Sequence, residues 1–286
     1  MVELNSPGHP TRGAVPQRPW SFKRQPSALT LSAIWHAAAL GGLVMEPSAW
    51  AWWLGGTLID HAVVTAAGLW PRSSLLGPNW TRLPAPARER GAIALTIDDG
   101  PDPQVTPRVL DLLERHDMRA TFFCIGERAQ RYASITREIV ARGHAVENHT
   151  HRHRHTFSVS GPKTLIREVA AGQAAIADIT GEPPRFFRAP AGLRNLFLES
   201  VLQKFDLKLA AWTRRGFDTK EGDPRVVSAR LLRGLAAGDI LLLHDGDAAT
   251  SADGSPVILS VIPELAAAAR EQQLKFVTLR EAAAMQ

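Results

Sequence analysis

The stretch Ile93-Ala94-Leu95-Thr96-Ile97-Asp98-Asp99-Gly100-Pro101 runs an apolar, partly β-branched segment into two adjacent carboxylates and a Gly-Pro breaker. Two acids at the mouth of a strand repel each other unless a cation lies between them or one is kept for proton transfer. Alone, Asp-Asp-Gly is as much at home in a polar strand end followed by a turn. A second cluster shifts the balance. Glu147-Asn148-His149-Thr150-His151-Arg152-His153-Arg154-His155 carries four histidines within seven residues. His149 and His153 are four apart, so one helical turn would face both imidazoles the same way and let them close on a metal. His151 would then point elsewhere, and His155 would lie past the turn. One aspartate and two histidines, with open positions for water, suit a catalytic Zn²⁺ or a related divalent ion.

Two further segments could supply partners. Phe186-Phe187-Arg188-Ala189-Pro190-Ala191-Gly192 puts an arginine at a strand terminus, ahead of a turn with free backbone N–H groups. Ile240-Leu241-Leu242-Leu243-His244-Asp245-Gly246 reads as a strand ending in a histidine. A lone histidine there is more often structural than chemical. In parallel α/β folds, however, the C-terminal strand ends converge on one face, where active sites are built. Asp98, Asp99, His149, His153, Arg188 and His244 all fall at such ends. Cys124, inside Ala120-Thr121-Phe122-Phe123-Cys124-Ile125, reads as a core thiol rather than a nucleophile. As the single cysteine it excludes an intramolecular disulfide framework.

The elements that must hold these residues alternate from Ala92 onward. Strands are expected near 92–98, 119–125, 144–147, 185–188, 207–212, 239–244 and 275–278. Helices fit between them at about 104–116, 127–142, 162–180, 195–205, 223–237 and 257–273. Such alternation argues for an α/β fold with a mostly parallel sheet, and about seven units in this span suit a barrel.

Upstream the composition changes. Residues 1–27 are rich in Pro, Gly and polar side chains without an apolar period, and are expected to form a disordered basic tail. Ala28 to Met45 holds no formally charged side chain, and Ala49 to Trp70 holds only Asp60. Each approaches the roughly 20 apolar residues that span a bilayer. Seven of the eight tryptophans lie in residues 20–80, several flanking these runs as interfacial aromatics do. With Glu46-Pro47-Ser48 as a tight turn, residues 28–70 read as two hydrophobic helices forming a membrane hairpin. An alternative is a helical pair packed on a soluble domain. A weaker one is a cleaved signal peptide ending at Ala49-Trp50-Ala51. Residues 71–91, with Pro71, Pro78, Pro84 and Pro86, read as a linker to a catalytic domain over 92–286.

The chain is 286 residues long with 45% hydrophobic content, enough for one sizeable core and an appendage. Its net charge of +5 is spread as +3 on residues 1–28, zero on 29–82 and +2 on 83–286. The basic excess thus sits largely in the tail, and no nucleic-acid partner is called for.

Four motifs taken in order resemble a family. Thr96-Ile97-Asp98-Asp99-Gly100, His149-Thr150-x-x-His153, Arg188-x-Pro190-x-Gly192 and Ile240-x-Leu242-x-His244 look like those of the polysaccharide deacetylases, the NodB-like enzymes of carbohydrate esterase family 4. The resemblance covers residues 92 to about 280. It implies a distorted (β/α) barrel, here preceded by the N-terminal hydrophobic helical hairpin, and metal-dependent hydrolysis of N-acyl groups on sugars. By it, Asp99, His149 and His153 would hold a divalent metal, Zn²⁺ first, with Co²⁺, Ni²⁺ or Mn²⁺ as alternatives. Asp98 would be the general base and Arg188 would orient it. His244 would protonate the leaving amine, oriented by Asp218. The N–H of Ala191, after Pro190, would help hold the oxyanion, and Leu242 would line the acyl pocket.

The chain departs from the family pattern in three places. Ala191 stands where an aromatic is usual, so a wall of the substrate groove is missing. Thr219 replaces the tryptophan expected after Asp218, which loosens the choice of acetyl over formyl. Arg215 stands where another acid is common. Arg214 and Arg215 could together meet an anionic substrate, although exposed arginines without a role are common. The expected function is removal of N-acetyl groups from an amino sugar in a glycan or lipid-linked saccharide, at a membrane. Rival readings are a deformylase of a phosphate-bearing lipid-linked sugar and a catalytically inactive glycan-binding barrel. The charge flanking the two apolar runs places the catalytic domain on the cytoplasmic face of the inner membrane, with the periplasmic face as the alternative.

Overall fold

The computed structural model describes residues 27–286; apart from Ser27, the expected disordered tail lies outside the described residues. The first two elements are the apolar helices α1 (Ser27–Met45) and α2 (Trp50–Leu69), joined by a short turn over Pro47–Ala49. They pack through a reciprocal exchange of glycine and tryptophan. A Cβ on Gly42 would strike the ring of Trp53, and one on Gly56 would strike the ring of Trp35. The two indoles meet at 5.9 Å between centroids. Small residues opposite large ones let the backbones approach, as helices do where no water drives them together.

Several polar residues of the pair also meet across this interface. Ser32 donates from Oγ to Asp60 Oδ2 at 2.7 Å, and His36 faces His61 with their Nε2 atoms 3.3 Å apart. Among the described residues, α1 is the one helix long and apolar enough to cross a membrane. α2, at 20 residues, is as long but carries Asp60 and His61 near its middle.

The remainder is a curled parallel sheet sheathed by helices. Its strands are β1 (Ala92–Asp98), β2 (Ala120–Cys124), β3 (Ala145–Asn148), β4 (Phe186–Phe187), β5 (Lys208–Leu209), β6 (Arg214–Arg215), β7 (Ile240–His244) and β8 (Lys275–Phe276). Their order is β5-β4-β3-β2-β1-β7-β6, with β8 beside the start of β1, and every pairing is parallel. Seven of these strands lie where the apolar runs predict them. β6 is the addition: two arginines carry no apolar pattern, so nothing local marks them as a strand.

Because strand side chains alternate, β1 serves two layers. Ile93, Leu95 and Ile97 are fully buried against the surrounding helices, while Ala92 and Ala94 face the barrel interior with Phe123, Phe186 and Leu242. Thr96 and Asp98 continue that inner row towards the mouth. Each fully buried Leu, Ile or Phe stabilises the sheet by roughly 1.5–3 kcal/mol. Cys124 is part of the outer layer, fully buried, and burial pushes its thiol well above the usual range. That is the state of a packing residue.

The sheet does not close on itself by strand pairing. Residues 80–83 stitch the gap between its two edges. Trp80 donates its N–H to Leu209 and accepts from Ala211, Leu83 donates to Gly238, and Thr213 Oγ1 donates to the carbonyl of Thr81 at 2.7 Å. The short helix α3 (Ala85–Glu89) then leads into β1.

Candidate active site

All strands run the same way, so the C-terminal ends of β1, β3, β4 and β7 share one rim. Asp98 lies opposite His244 in register on the paired strands β1 and β7. Asp99 follows with φ of 72°, in the left-handed region that aspartate tolerates better than most residues. His149 Nε2 lies nearer Asp99 Oδ1, at 3.2 Å, than Asp98 Oδ2, at 3.9 Å.

His149 and His153 do meet Asp99, but not by way of a helical turn. The segment after β3 is a loop with Thr150 at φ 68° and His153 at φ 48°. Asn148 Oδ1 accepts from the N–H of Thr150 at 2.8 Å, and Thr150 Oγ1 accepts from the N–H of His153 at 2.9 Å. These side-chain-to-backbone bonds replace a helix and fold the loop back on itself. Asp99 Oδ1 ends 3.2 Å from His149 Nε2 and 3.3 Å from His153 Nε2. His151 turns towards Gly126, outside this group.

The three donors fit a divalent cation. Asp99 Oδ1 is buried and receives no hydrogen bond, although two imidazole nitrogens lie close by. His149 Nδ1 is 2.8 Å from the carbonyl of Arg188, which holds a proton on that nitrogen and leaves Nε2 as the atom directed at Asp99. Burial works against a charged ring, but Asp98 and Asp99 raise its proton affinity, so a cation bound there would displace a proton from Nε2. Burial and the neighbouring His149 lower His153 to about 4, so its ring is neutral near pH 7. Burial acts to raise Asp99, but His149, His153 and His244 outweigh it and hold the carboxyl well below the usual carboxylate range. An ionised oxygen and neutral imidazole nitrogens are the forms that ligate metals.

Asp98 is held separately. Arg188, 1% exposed, donates from Nη1 to Asp98 Oδ1 at 2.7 Å and to Thr96 Oγ1 at 2.8 Å. Its other nitrogens donate to the carbonyls of Ala210 at 3.1 Å and Ala211 at 2.8 Å, and its carbon lies 4.1 Å from the centre of the Phe123 ring. A guanidinium gripped on every side is a rigid clamp for the carboxylate. Thr96 is a positioning residue not singled out by the sequence reading. Its Oγ1 also donates to the carbonyl of Leu241 at 2.6 Å. The signal was present, because Thr96 is two residues before Asp98 and hence on the same face.

Across the mouth, Asp218 takes both the backbone N–H of His244, at 2.7 Å, and its Nδ1, at 2.9 Å. Burial lowers the proton affinity of His244, yet Asp218, Asp98 and Asp99 more than reverse this and raise it above the ordinary histidine value. The charged form of this imidazole is thus favoured, with Nδ1 committed to Asp218 and Nε2 as its other ring nitrogen. Leu242 lies two residues earlier on the same inner face and is 1% exposed. Pro190 is buried and starts the turn in which Ala191 takes φ 54°.

The two arginines of β6 are not brought together. Adjacent residues on a strand point to opposite faces. Arg214 pairs with Leu241 and points outward, donating from Nε to the buried Asp239 at 2.5 Å and from its terminal nitrogens to the carbonyls of Arg233 and Gly234. With its guanidinium so committed, it is not free to read a substrate. Arg215 pairs with Leu242 and faces inward, its guanidinium 5.3 Å from the ring of Trp212 and 4.9 Å from that of Phe217.

Comparison with known proteins agrees with the geometry. A family profile described as "Polysaccharide deacetylase" matches residues 85–210. The chain is 33% identical over 191 residues to the peptidoglycan-N-acetylglucosamine deacetylase of Bacillus cereus, covering 66% of this chain and 86% of the relative. It is 34% identical over 163 residues to the chitooligosaccharide deacetylase of Azorhizobium caulinodans, covering 56% and 76%. Among solved structures, a family 4 carbohydrate esterase from Streptomyces lividans in complex with acetate aligns with a TM-score of 0.59 and 30% identity, over 65% of this chain and 91% of that one. The clamp on Asp98, the Asp99–His149–His153 group and the His244–Asp218 pair therefore belong to a chain that is a member of the polysaccharide deacetylase family.

Proposed function

We propose that this protein is a divalent-metal-dependent hydrolase that removes N-acetyl groups from an amino sugar in a glycan or lipid-linked saccharide. The observation that carries this reading is the separation of roles around one mouth. Asp98 is fixed by Arg188, His244 is fixed by Asp218, and between them Asp99, His149 and His153 converge within 4.8 Å of one another.

Asp99, His149 and His153 would hold the ion, Zn²⁺ in first place. The ion when bound would polarise the acyl carbonyl and favour ionisation of a water. Asp98 accepts the proton of the attacking water, and its clamp keeps one oxygen directed at the site. The N–H of Ala191, in the turn after Pro190, would be the donor to the developing oxyanion. His244 gives its Nε2 proton to the departing amine, and Asp218 steadies the imidazole on both sides of that transfer. A glycan-binding barrel without activity would need neither a clamped base nor an oriented acid.

The chain is further proposed to sit at the inner membrane through the α1–α2 hairpin, with the barrel on the cytoplasmic face. Two assays test the reading: acetate release from N-acetylated chitooligosaccharides by the full chain reconstituted with Zn²⁺, and mass spectrometry of membrane lipid-linked glycans from cells with and without the protein. Acetate release, or glycans lighter by one acetyl per sugar, is expected. Lipid-linked glycans lighter by a formyl rather than an acetyl group would move the reading to a deformylase, and no change in either assay would overturn it.

A further inference from the structure

The end of the hydrophobic hairpin is built into the rim of the catalytic barrel. The carbonyl of Gly68, in the last turn of α2, accepts from the N–H of Arg194 at 3.0 Å. Gly192, at φ 73°, is pressed so closely on Pro71 and Trp212 that a Cβ there would stand 2.6 Å from each. Asn79 donates to the carbonyl of Pro71 at 2.9 Å, and Arg72 donates to the carbonyl of Thr213 at 3.3 Å. The hairpin thus abuts the turn that carries Ala191, where the family's usual aromatic is missing.

Between these parts lies a cavity of about 610 Å³. Its walls are mixed in a particular way. Leu69 and Trp70 supply one apolar side, continuous with the apolar face of α2; Trp212 and Phe217 supply the other. Two cations, Arg72 and Arg215, line it, and among the described residues no carboxylate does. Arg215 is held between the rings of Trp212 and Phe217, and its Nε is buried without a hydrogen-bond partner. A buried guanidinium donor left unpaired is costly unless an anion completes it. The cavity also adjoins the reaction centre. The Trp212 ring lies 5.8 Å from the Arg188 guanidinium, and Phe217 immediately precedes Asp218, the partner of His244.

We infer that this cavity binds the phosphate of a lipid-linked amino sugar, with Arg72 and Arg215 meeting the phosphate and Trp70 with the end of α2 taking the first apolar segment of the lipid. An anion of a wholly soluble glycan would explain the two arginines but not the apolar ramp leading to them. A lipid alone would explain the ramp but not the paired cations. The inference rests on the deacetylase reading for the identity of the sugar, not for the binding of phosphate and lipid.

A binding measurement separates the two. The full chain in neutral phosphatidylcholine nanodiscs is titrated with farnesyl phosphate, farnesol and inorganic phosphate, with tryptophan fluorescence as the signal. Saturable binding of farnesyl phosphate is expected, tighter than either fragment. Because a hydrogen bond to a charged group is the larger kind, Arg72→Gln and Arg215→Gln should each raise its Kd about tenfold. Arg215→Lys should recover part of that loss. Unchanged farnesol binding in the same variants shows that the cavity is intact, and Trp70→Ala should weaken both farnesyl probes. Wild-type binding of farnesyl phosphate no tighter than that of farnesol would overturn the proposal, as would Gln variants with unaltered Kd. Inorganic phosphate bound as tightly as farnesyl phosphate would overturn the lipid half. Absence of acetate release with these results intact would count against the deacetylase reading alone.

Discussion

Asp98 and Asp99 are consecutive in the chain, yet their carboxylates are held by different partners: Arg188 at 2.7 Å for Asp98, and His149 at 3.2 Å for Asp99. The left-handed backbone of Asp99 makes this possible, at a conformational cost of roughly 1 kcal/mol for an L-residue. Two neighbouring acids that shared one environment would perturb each other and could not do separate jobs.

That division predicts two distinct failures. Asp98→Asn should retain bound Zn²⁺ and lose at least about 10²-fold in kcat, the scale of general base catalysis. Ala at Asp99, His149 or His153 should lower metal content and activity together, because each deletes a ligand. Metal analysis beside turnover decides it. An Asp98→Asn protein with normal turnover would mean the carboxylates have exchanged roles, and a fully loaded, active His153→Ala would remove the metal assignment.

On the opposite side, Asp218 accepts from both Nδ1 and the backbone N–H of His244. Asp218→Asn should leave metal content unchanged while lowering kcat about 10²-fold or more, since an amide cannot stabilise the imidazolium as a carboxylate does. The alkaline limb of the kcat profile should move to lower pH, because Asp218 is the leading influence that raises His244 against its burial. A profile identical to wild type would reduce Asp218 to a structural residue.

Much of this arrangement was legible in the residues themselves. The apolar runs ending in Asp98, Arg188 and His244 mark strands, and parallel topology puts their ends on one rim. Local spacing was less faithful. His149 and His153 meet through a loop held by Asn148 and Thr150, because left-handed residues carry no periodic signal. Arg214 and Arg215 are neighbours in sequence, which says nothing of their faces until β6 is recognised as a strand. Arg72 and Trp70 reach the site only because α2 docks on the turn at Gly192. That contact joins residues about 120 positions apart in the chain, beyond any short-range pattern.

His144 supplies a test of stability remote from the chemistry. Its Nδ1 accepts from the N–H of Ala120 at 3.3 Å, so the folded state needs the neutral ring. Burial, with Arg119 and Arg142 nearby, lowers it from the ordinary 6.5 to about 4. The unfolded chain therefore binds the proton more readily. Its contribution is fully present above about pH 6.5, falls as pH drops towards 4, and is constant below, a loss of at most about 3 kcal/mol. Thermal melts across this window should fall more steeply for wild type than for His144→Asn, which keeps an acceptor but does not titrate. Parallel slopes would show that the folded ring accommodates its proton.

The final prediction concerns the side of the membrane. Arg12, Arg18, Lys23 and Arg24 precede α1, and Arg72, Arg82, Arg88 and Arg90 follow α2, while the turn between the helices has no basic residue. The positive-inside rule then keeps both ends of the pair in the cytoplasm, provided α2 spans as α1 can. Asp60 and His61 are the obstacle, since a polar pair at mid-membrane costs a few kcal/mol unless partnered. The partners are present: Ser32 donates to Asp60, and His36 faces His61. Reciprocal seating of Trp35 on Gly56 and Trp53 on Gly42 further binds the helices as one unit. A reporter fused after Gln286 should accordingly give bright green fluorescent protein and inactive alkaline phosphatase. The reverse pattern would place the barrel outside. Asp60→Leu then tells whether the polar pair sets the outcome: if α2 already spans, the fusion should not change sides, and a switch would show that Asp60 had kept α2 out of the bilayer.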